Sequence, residues 1–243
     1  MGTTGDLARV DHPGWLELRL NRPAKLNALS PDLLFSLAAE LGTVAGAHVV
    51  VLTGSGEKAF SAGFDLDVLR ALGAAAHDGD PLGTAVAALS SCPVPTIAAL
   101  HGYCWGAAVE LVTACDIRIA TGDSSIAIPA NRLGSLYRPR GIDALARRFG
   151  PTVVSELIVI GTRYNARTAL DRGVISAVVE DPAGYLDSLA ATLAPPAPGL
   201  HARFLREWVA AASNDREAVL ARWEAVREAS VAARVIPATG SQS

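Results

Sequence analysis

Up to about residue 180 the chain alternates short, partly β-branched apolar segments with amphipathic ones, and that alternation restricts the fold more than any other feature. Residues 15–20, 48–53, 96–100, 117–120, 126–128 and 174–179 read as strands, the first with Leu16, Leu18 and Leu20 on one face. Helical patterns separate them at 30–45, 65–72, 81–91, 107–115, 142–149, 152–160 and 166–172. Ser30-Pro31-Asp32 opens the first of these: a hydroxyl N-cap, a proline in the first turn and an acid at the positive dipole end all favour a helix start. Strands joined through helices pair in parallel and are covered on both faces, so the expected class is α/β.

Beyond Glu180 only helical patterns follow, at 182–193, 199–212 and 215–233. The break Ala194-Pro-Pro-Ala-Pro198 reads as a stiff boundary. The expected organisation is an α/β core over 1–196 and a helical region over 197–243, acting as one functional domain. That region holds Trp208 and Trp223 but few other large apolar groups, so it is expected to pack on the core or on a neighbouring subunit. Residues 73–79 read as a mobile loop and residues 239–243 as a frayed end.

Composition narrows the function classes. The chain of 243 residues is 50% hydrophobic and 19% charged, with a net charge of −3. No run of 18 apolar residues occurs, so a membrane span is not expected. The first residues lack the basic start and apolar stretch of a signal peptide, and Asp6 stands where a myristoylation motif needs a hydroxyl. Three cysteines, Cys92, Cys104 and Cys115, argue against a disulfide framework and for a reducing cytoplasm. A pI of about 5.9 gives no global field for nucleic acid. Arginine is common, yet the only lysines are Lys25 and Lys58.

Three stretches carry more glycine and small residues than packing asks for: residues 21–30, 58–66 and 101–116. In the third, a strand ends at His101-Gly102 and a helix begins near Gly106 or Ala107. The unpaired N–H groups of such a start can stabilise a developing oxyanion, and Ala107 and Ala108 leave the approach open. Glu110 in the first turn either answers the dipole or carries a proton. In the second stretch Ser61-Ala62-Gly63 precedes an Asp65 cap, which is either an ordinary glycine turn or a second backbone donor, from Ala62. The five histidines are scattered without His-x-x-x-His or Cys-x-x-Cys spacing, so no metal site is expected. Gly54-Ser-Gly56 lacks the Gly-Lys-Ser/Thr of a phosphate loop.

Asn21-Arg-Pro…Asn27-Ala-Leu-Ser, then Ala59-Phe-Ser-Ala-Gly-x-Asp-Leu66, then His101-Gly-Tyr-x-x-Gly-Ala-x-x-Glu110…Cys115-Asp116 together resemble the enoyl-CoA hydratase/isomerase (crotonase) family, from about residue 10 to 180. The resemblance implies a crotonase-like spiral of ββα units with a C-terminal helical region. It also implies homotrimers that often pair into hexamers, and an acyl-CoA ligand whose thioester carbonyl sits between two backbone N–H groups. Carried over by position, those donors are Ala62 and Ala107. Glu110 matches the first of the two glutamates that hydratases use as acid and base. Lys25, Ala28 and Lys58 fall where the family cradles the adenine and phosphates. Gly63, Phe64, Asp65 and Gly106 flank the donors, and residues 69–81 and 130–141 are expected to line the acyl pocket. No cofactor is implied beyond the coenzyme A of the substrate, and neither nucleic acid nor membrane is an expected partner.

One departure bears directly on the chemistry. The second hydratase glutamate belongs to a Pro-Glu-x-x-x-Gly segment, which here reads Pro129-Ala-Asn-Arg-Leu-Gly134, so Ala130 takes its place. Syn addition of water needs a base for the water and an acid for Cα, and losing one positioned group costs about 10²–10⁴ in rate. Tyr137, Arg138 and Arg140 replace a glycine-rich turn nearby and read as a new acid, an anion clamp or surface. The expected function is therefore an acyl-CoA enzyme of the hydratase/isomerase type, working through an enolate with Glu110 as acid and base. A single glutamate suits moving a proton between carbons better than hydration. The alternatives are an acyl-CoA-binding homologue without chemistry, and a thioester hydrolase or decarboxylase on the same fold.

Overall fold

The computed structural model describes residues 2–44, 46–72, 78–134, 136–193, 197–212 and 214–232. Most of the 73–79 and 194–198 segments and all of 239–243 lie outside the described residues. The strands are β1 (Gly2–Thr4), β2 (Leu7–His12), β3 (Trp15–Leu20), β4 (Val49–Gly54), β5 (Ala59–Ser61), β6 (Thr96–Leu100), β7 (Tyr103–Trp105), β8 (Ile117–Ala120), β9 (Ser125–Ala127), β10 (Tyr164–Asn165) and β11 (Ala177–Val178). The helices are α1 (Pro31–Leu41), α2 (Leu66–Leu72), α3 (Pro81–Ser91), α4 (Ala107–Thr113), α5 (Pro139–Phe149), α6 (Pro151–Val154), α7 (Ala166–Asp171), α8 (Pro182–Thr192), α9 (Ala197–Ala210) and α10 (Arg216–Ala232).

Two sheets run through the α/β part. The larger has the order β1-β2-β3-β4-β6-β8-β11, and the smaller β10-β9-β7-β5. From β3 to β11 the large sheet is parallel, and β5, β7 and β9 are parallel in the small one. Each long strand β4, β6 or β8 is followed by a short strand β5, β7 or β9, and both sets step across their sheets in the same direction. That repeat is the spiral of ββα units which the resemblance implied.

Period-two alternation explains the double-sided burial. Leu16, Leu18, Leu20, Val50, Leu52, Ala98 and Leu100 enter the main core, while Trp15, Val49, Val51, Ile97 and Ala99 enter a second core under Leu186 and Ala190 of α8. In α1 the Ser30 Oγ accepts from Leu33 N at 3.3 Å, and Leu33, Leu34, Leu37 and Leu41 form the buried stripe. The chain divides into two compact units, Met1–Arg203 and Phe204–Ser243. Within the second, Phe204 meets Trp223 edge-on, Trp223 Nε1 donates to Glu207 at 2.8 Å, and Arg216 stacks on Trp208.

Several elements differ from the expectation. The helix expected over 152–160 is α6 followed by a π-helical turn, Ser155–Ile160. Of the strand expected over 174–179 only β11 forms, because the Val174 and Ile175 amides both donate to the Ala169 carbonyl inside α7, at 2.8 and 3.3 Å. The helix from Ser30 stops at Leu41, before residue 45. β1, β2, β5 and β7 carried no sequence signal, the last two because three residues are too short to display a period, whereas β9 falls one residue before the strand expected at 126–128.

Asn27 ties the first small-residue stretch to the second. It is fully buried at φ 53°, in the left-handed region that asparagine tolerates. Its Nδ2 donates to the Ser55 and Ala59 carbonyls at 2.8 and 2.7 Å, and its Oδ1 accepts from Arg22 N at 2.9 Å. Replacing Asn27 with alanine strands those buried backbone groups, so unfolding in urea should reveal a loss of roughly 2–4 kcal/mol. A loss under 1 kcal/mol would show that the loops hold without it.

Candidate active site

The second and third stretches meet with no side chain between them. Gly63 has φ +93°, and a Cβ there would sit 2.7 Å from the Trp105 carbonyl oxygen and 3.2 Å from the Ala107 nitrogen. Gly106, at φ 57° and ψ −124°, caps α4 and donates to the Ala127 carbonyl at 2.8 Å. The next amide, Ala107 N–H, donates to no group among the described residues. The Ala62 N–H is different: it donates to the Leu26 carbonyl at 2.9 Å, so the donor expected there is turned into the protein. Leu29 pairs with both neighbours of Phe64, its N–H donating to Gly63 O at 2.7 Å and its carbonyl accepting from Asp65 N at 2.9 Å. By strand alternation the Phe64 amide is directed away from Leu29.

A cleft of about 750 Å³ opens over this junction. Of the residues singled out from the sequence, Lys25, Ala28, Ala62, Phe64, Asp65, Gly106, Ala107, Ala130 and Tyr137 line it. Gly63 does not line the cleft itself but packs against the Trp105–Ala107 backbone beside it. Lys58 is a correction. It is exposed on the turn before β5, its carbonyl accepting from Tyr103 N at 3.1 Å, and it does not line the cleft. Leu69 and Arg70 of α2, the start of the 69–81 segment expected at the acyl pocket, line it as well. The sequence reading did not single out Trp105 and Ile128, which also line it and whose apolar side chains read as ordinary strand residues.

Glu110 also stands behind the cleft lining and is only 3% exposed. Tyr137 covers it: the phenol lines the cleft and its hydroxyl donates to the Gly106 carbonyl at 3.2 Å. Gly141 of α5 makes room for both, since a Cβ there would fall 2.3 Å from Glu110 Oε2 and 2.9 Å from Tyr137 Cε1. Glu110 Oε1 faces Arg138 Nε at 3.7 Å, and Oε2 is buried without a hydrogen-bond partner among the described residues. Arg138 is held in turn by Asp80, at 2.6 and 3.3 Å, while Asp80 caps α3 through Gly83 N at 3.1 Å.

Burial pushes the Glu110 carboxyl above the usual carboxylate range; Asp80 adds to this and Arg138 opposes it. Burial also pushes the Tyr137 phenol well above its ordinary value, with the Glu110 charge acting in the same direction. The site thus holds two groups that favour keeping their protons. At the mouth the order reverses. Burial pushes Asp65 up, but Arg22 at 2.9 Å, the Val68 N–H and Lys25 together hold it below the carboxylate range. Lys25 Nζ lies 3.6 Å from Asp65 and 3.8 Å from Asp67, so its charge is partly answered within the protein.

Comparison with known proteins agrees with this architecture. The sequence model of the enoyl-CoA hydratase/isomerase family matches residues 12–229. A carnitinyl-CoA dehydratase of Shigella flexneri is 34% identical over 172 residues, 68% of this chain and 64% of that protein's length. Among solved structures, an enoyl-CoA hydratase from Bacillus anthracis superposes with a TM-score of 0.82 at 28% identity, covering 92% of this chain and 91% of that one. An enoyl-CoA hydratase/carnithine racemase from Magnetospirillum magneticum gives 0.79 at 25% identity, covering 99% and 97%. The crotonase-like α/β fold is therefore that of this chain.

The charge balance around Glu110 can be read without turnover. In a carboxyl ¹³C NMR titration, Arg138→Gln should raise the Glu110 midpoint, because the opposing cation is gone. Asp80→Asn keeps the α3 cap but removes the like charge and releases Arg138 toward Glu110, so the midpoint should fall. Identical midpoints in all three proteins would mean that Glu110 is insulated from both groups.

Proposed function

The chain belongs to the enoyl-CoA hydratase/isomerase family, and we propose that it acts on acyl-CoA thioesters by stabilising an enolate in the cleft over Ala107. The observation carrying this reading is the pairing of an Ala107 N–H that is unengaged among the described residues with a buried Glu110, its carboxyl pushed above the usual carboxylate range, behind the same wall. The thioester carbonyl would accept from the Ala107 N–H and, in place of Ala62, from the Phe64 N–H. Backbone donors aimed at a developing oxyanion in a water-poor site stabilise it far more than they would in water. Glu110 serves as the acid and base for Cα.

Ala130 lines the cleft at the position where the resemblance puts a second carboxylate, and it offers only a methyl group. Activating water across a double bond needs a second proton carrier, so the geometry favours moving a proton at carbon, as in double-bond isomerisation. The name carnitinyl-CoA dehydratase borne by relatives adds elimination of water to the same set of enolate reactions. Coenzyme A enters as part of the substrate, and no further cofactor is proposed. Lys25 and Arg70 at the mouth are the cations available to its phosphates. A homotrimer, alone or paired as a hexamer, is the proposed assembly. The exposed Val159 and Ile160, at 72% and 67%, support self-association. A cytoplasmic location is proposed with it; no helix among the described residues is long and apolar enough to cross a membrane.

The test is Cα proton exchange and product formation across an acyl- and enoyl-CoA panel in D₂O, read by mass spectrometry. Glu110→Gln should slow exchange by about 10²–10⁴-fold; an unchanged rate would remove Glu110 from the chemistry. Micromolar binding without exchange or product in the native protein would instead identify an acyl-CoA-binding homologue, a reading that Ala130 and the covered Glu110 favour. Release of free CoA or CO₂ would identify a hydrolase or decarboxylase. Lys25→Ala should weaken CoA-ester binding about two- to fivefold at low salt, with the difference fading as salt rises.

A further inference from the structure

We propose that the Tyr137 hydroxyl carries the proton between the buried Glu110 carboxyl and the α-carbon of the thioester. This rests on the acyl-thioester reading above and adds a catalytic residue to it. Glu110 does not line the cleft, whereas Tyr137 does. A group that is 3% exposed and shielded by a phenol cannot meet a substrate carbon directly unless the phenol moves away. The hydroxyl lies close enough to Glu110 for the two groups to shift each other's acidity. It bonds the carbonyl of Gly106, the residue before the Ala107 amide, so it stands next to the point where the thioester carbonyl would dock. The ring lies against the same Gly141 position as Glu110 Oε2.

The existing hydrogen bond does not hold the hydroxyl tightly. At 3.2 Å it is long for an O–H donor, and the Gly106 carbonyl also accepts from Val109 N at 3.0 Å. Glu110 Oε2, for its part, is buried with no hydrogen-bond partner among the described residues, a costly arrangement if nothing ever satisfies it. A rotation of the hydroxyl toward that oxygen satisfies it and opens a relay. Ala130, across the cleft, offers no competing proton carrier.

The relay balances without an outside reagent. In the forward direction the Cα–H bond breaks and its electron pair enters the enolate, whose oxygen charge rests on the Ala107 N–H. The proton goes to Tyr137 Oη as the original hydroxyl proton passes to the Glu110 carboxylate. In the reverse direction Glu110 returns its proton to the phenol oxygen, and the phenol gives its own to Cα or, in an isomerisation, to the γ-carbon. The phenol is neutral before and after, so no free phenolate forms in the apolar wall.

Tyr137→Phe keeps the ring and its packing and removes only the hydroxyl. Cα exchange in D₂O should fall by about 10²–10⁴-fold, while the acyl-CoA dissociation constant stays within about twofold. Exchange kept within about threefold of native overturns the relay. Glu110→Gln in the same assay separates the two readings. Loss in Glu110→Gln with retention in Tyr137→Phe leaves the acyl-thioester enzyme standing and removes the relay, whereas absence of exchange in the native protein overturns both. Should Tyr137→Phe fail to fold, 3-fluorotyrosine placed at 137 keeps shape and hydrogen bonding but makes a more acidic phenol. Its exchange rate at fixed pH should differ from native by about threefold or more, since proton-transfer rates follow acidity. A rate indistinguishable from native overturns the proposal.

Discussion

Everything at the candidate site depends on one close approach of backbone to backbone, Gly63 against the Trp105–Ala107 turn. The separations leave no room for a methyl group: a Cβ on Gly63 would press on the Trp105 carbonyl oxygen at 2.7 Å. The contact exists because β5 and β7 lie side by side in parallel in the small sheet, which brings the ends of two successive ββα units to the same point. The positive φ at Gly63 and at Gly106 then turns each chain sharply out of its strand. Asn27 holds the third loop against the first of these turns through buried hydrogen bonds to Ser55 and Ala59. A rigid amide pair costs no reorganisation when charge develops beside it, and that is what distinguishes such a junction from an ordinary loop crossing.

The electrostatics are layered along the same axis. At the mouth, Asp65 is ionised and held by Arg22 and Lys25, and it spends its other oxygen capping α2 through Asp67 N and Val68 N. At the inner end the acid is buried, the Arg138 guanidinium lies 3.7 Å away, and that cation is shared with Asp80. One carboxylate is therefore held ionised and the other pushed toward its neutral form, and environment alone separates them. Asp65 is engaged by the α2 cap and by the Arg22 ion pair at 2.9 Å, whereas Glu110 has only the more distant Arg138 at 3.7 Å.

Much of this could be read from the chain, and what could not has physical causes. The α/β class followed from period-two and period-3.6 segments, and the start of α1 from Ser30-Pro31-Asp32, because those signals are local. Ala107 and Glu110 were singled out because small residues and an acid at a strand–helix junction are themselves a local pattern, and Tyr137 because it stands where the resemblance puts a glycine-rich turn. The orientation of Ala62 was not legible: its amide is turned by the Leu26 carbonyl, thirty-six residues earlier, a pairing that no local pattern encodes. Lys58 was misplaced for a similar reason, since the turn that starts β5 faces it away from the cleft. The cover over Glu110 depends on Gly141, a glycine inside α5 whose sequence context reads as an unremarkable helix turn. Position along the chain finds the groups; only packing between elements sets which way each one points.

Ala130 and Tyr137 are best understood as one change rather than two. A carboxylate at 130 would add a second negative charge to a cleft whose existing acid already resists ionisation through burial and through Asp80. With a methyl group there, the wall is apolar, water has no positioned base, and Glu110 communicates with the cleft only past the phenol. A single-file proton path of this kind returns a proton to the face from which it took one. It suits reactions that shift a proton along the acyl chain on one face, and it disfavours those that must deliver a proton and a hydroxide together. On the proposed acyl-thioester reading, the carboxyl missing at 130 and the phenol present at 137 narrow the chemistry in the same direction, so the proposed proton route, more than the oxyanion site, would separate this chain from a hydratase with two glutamates.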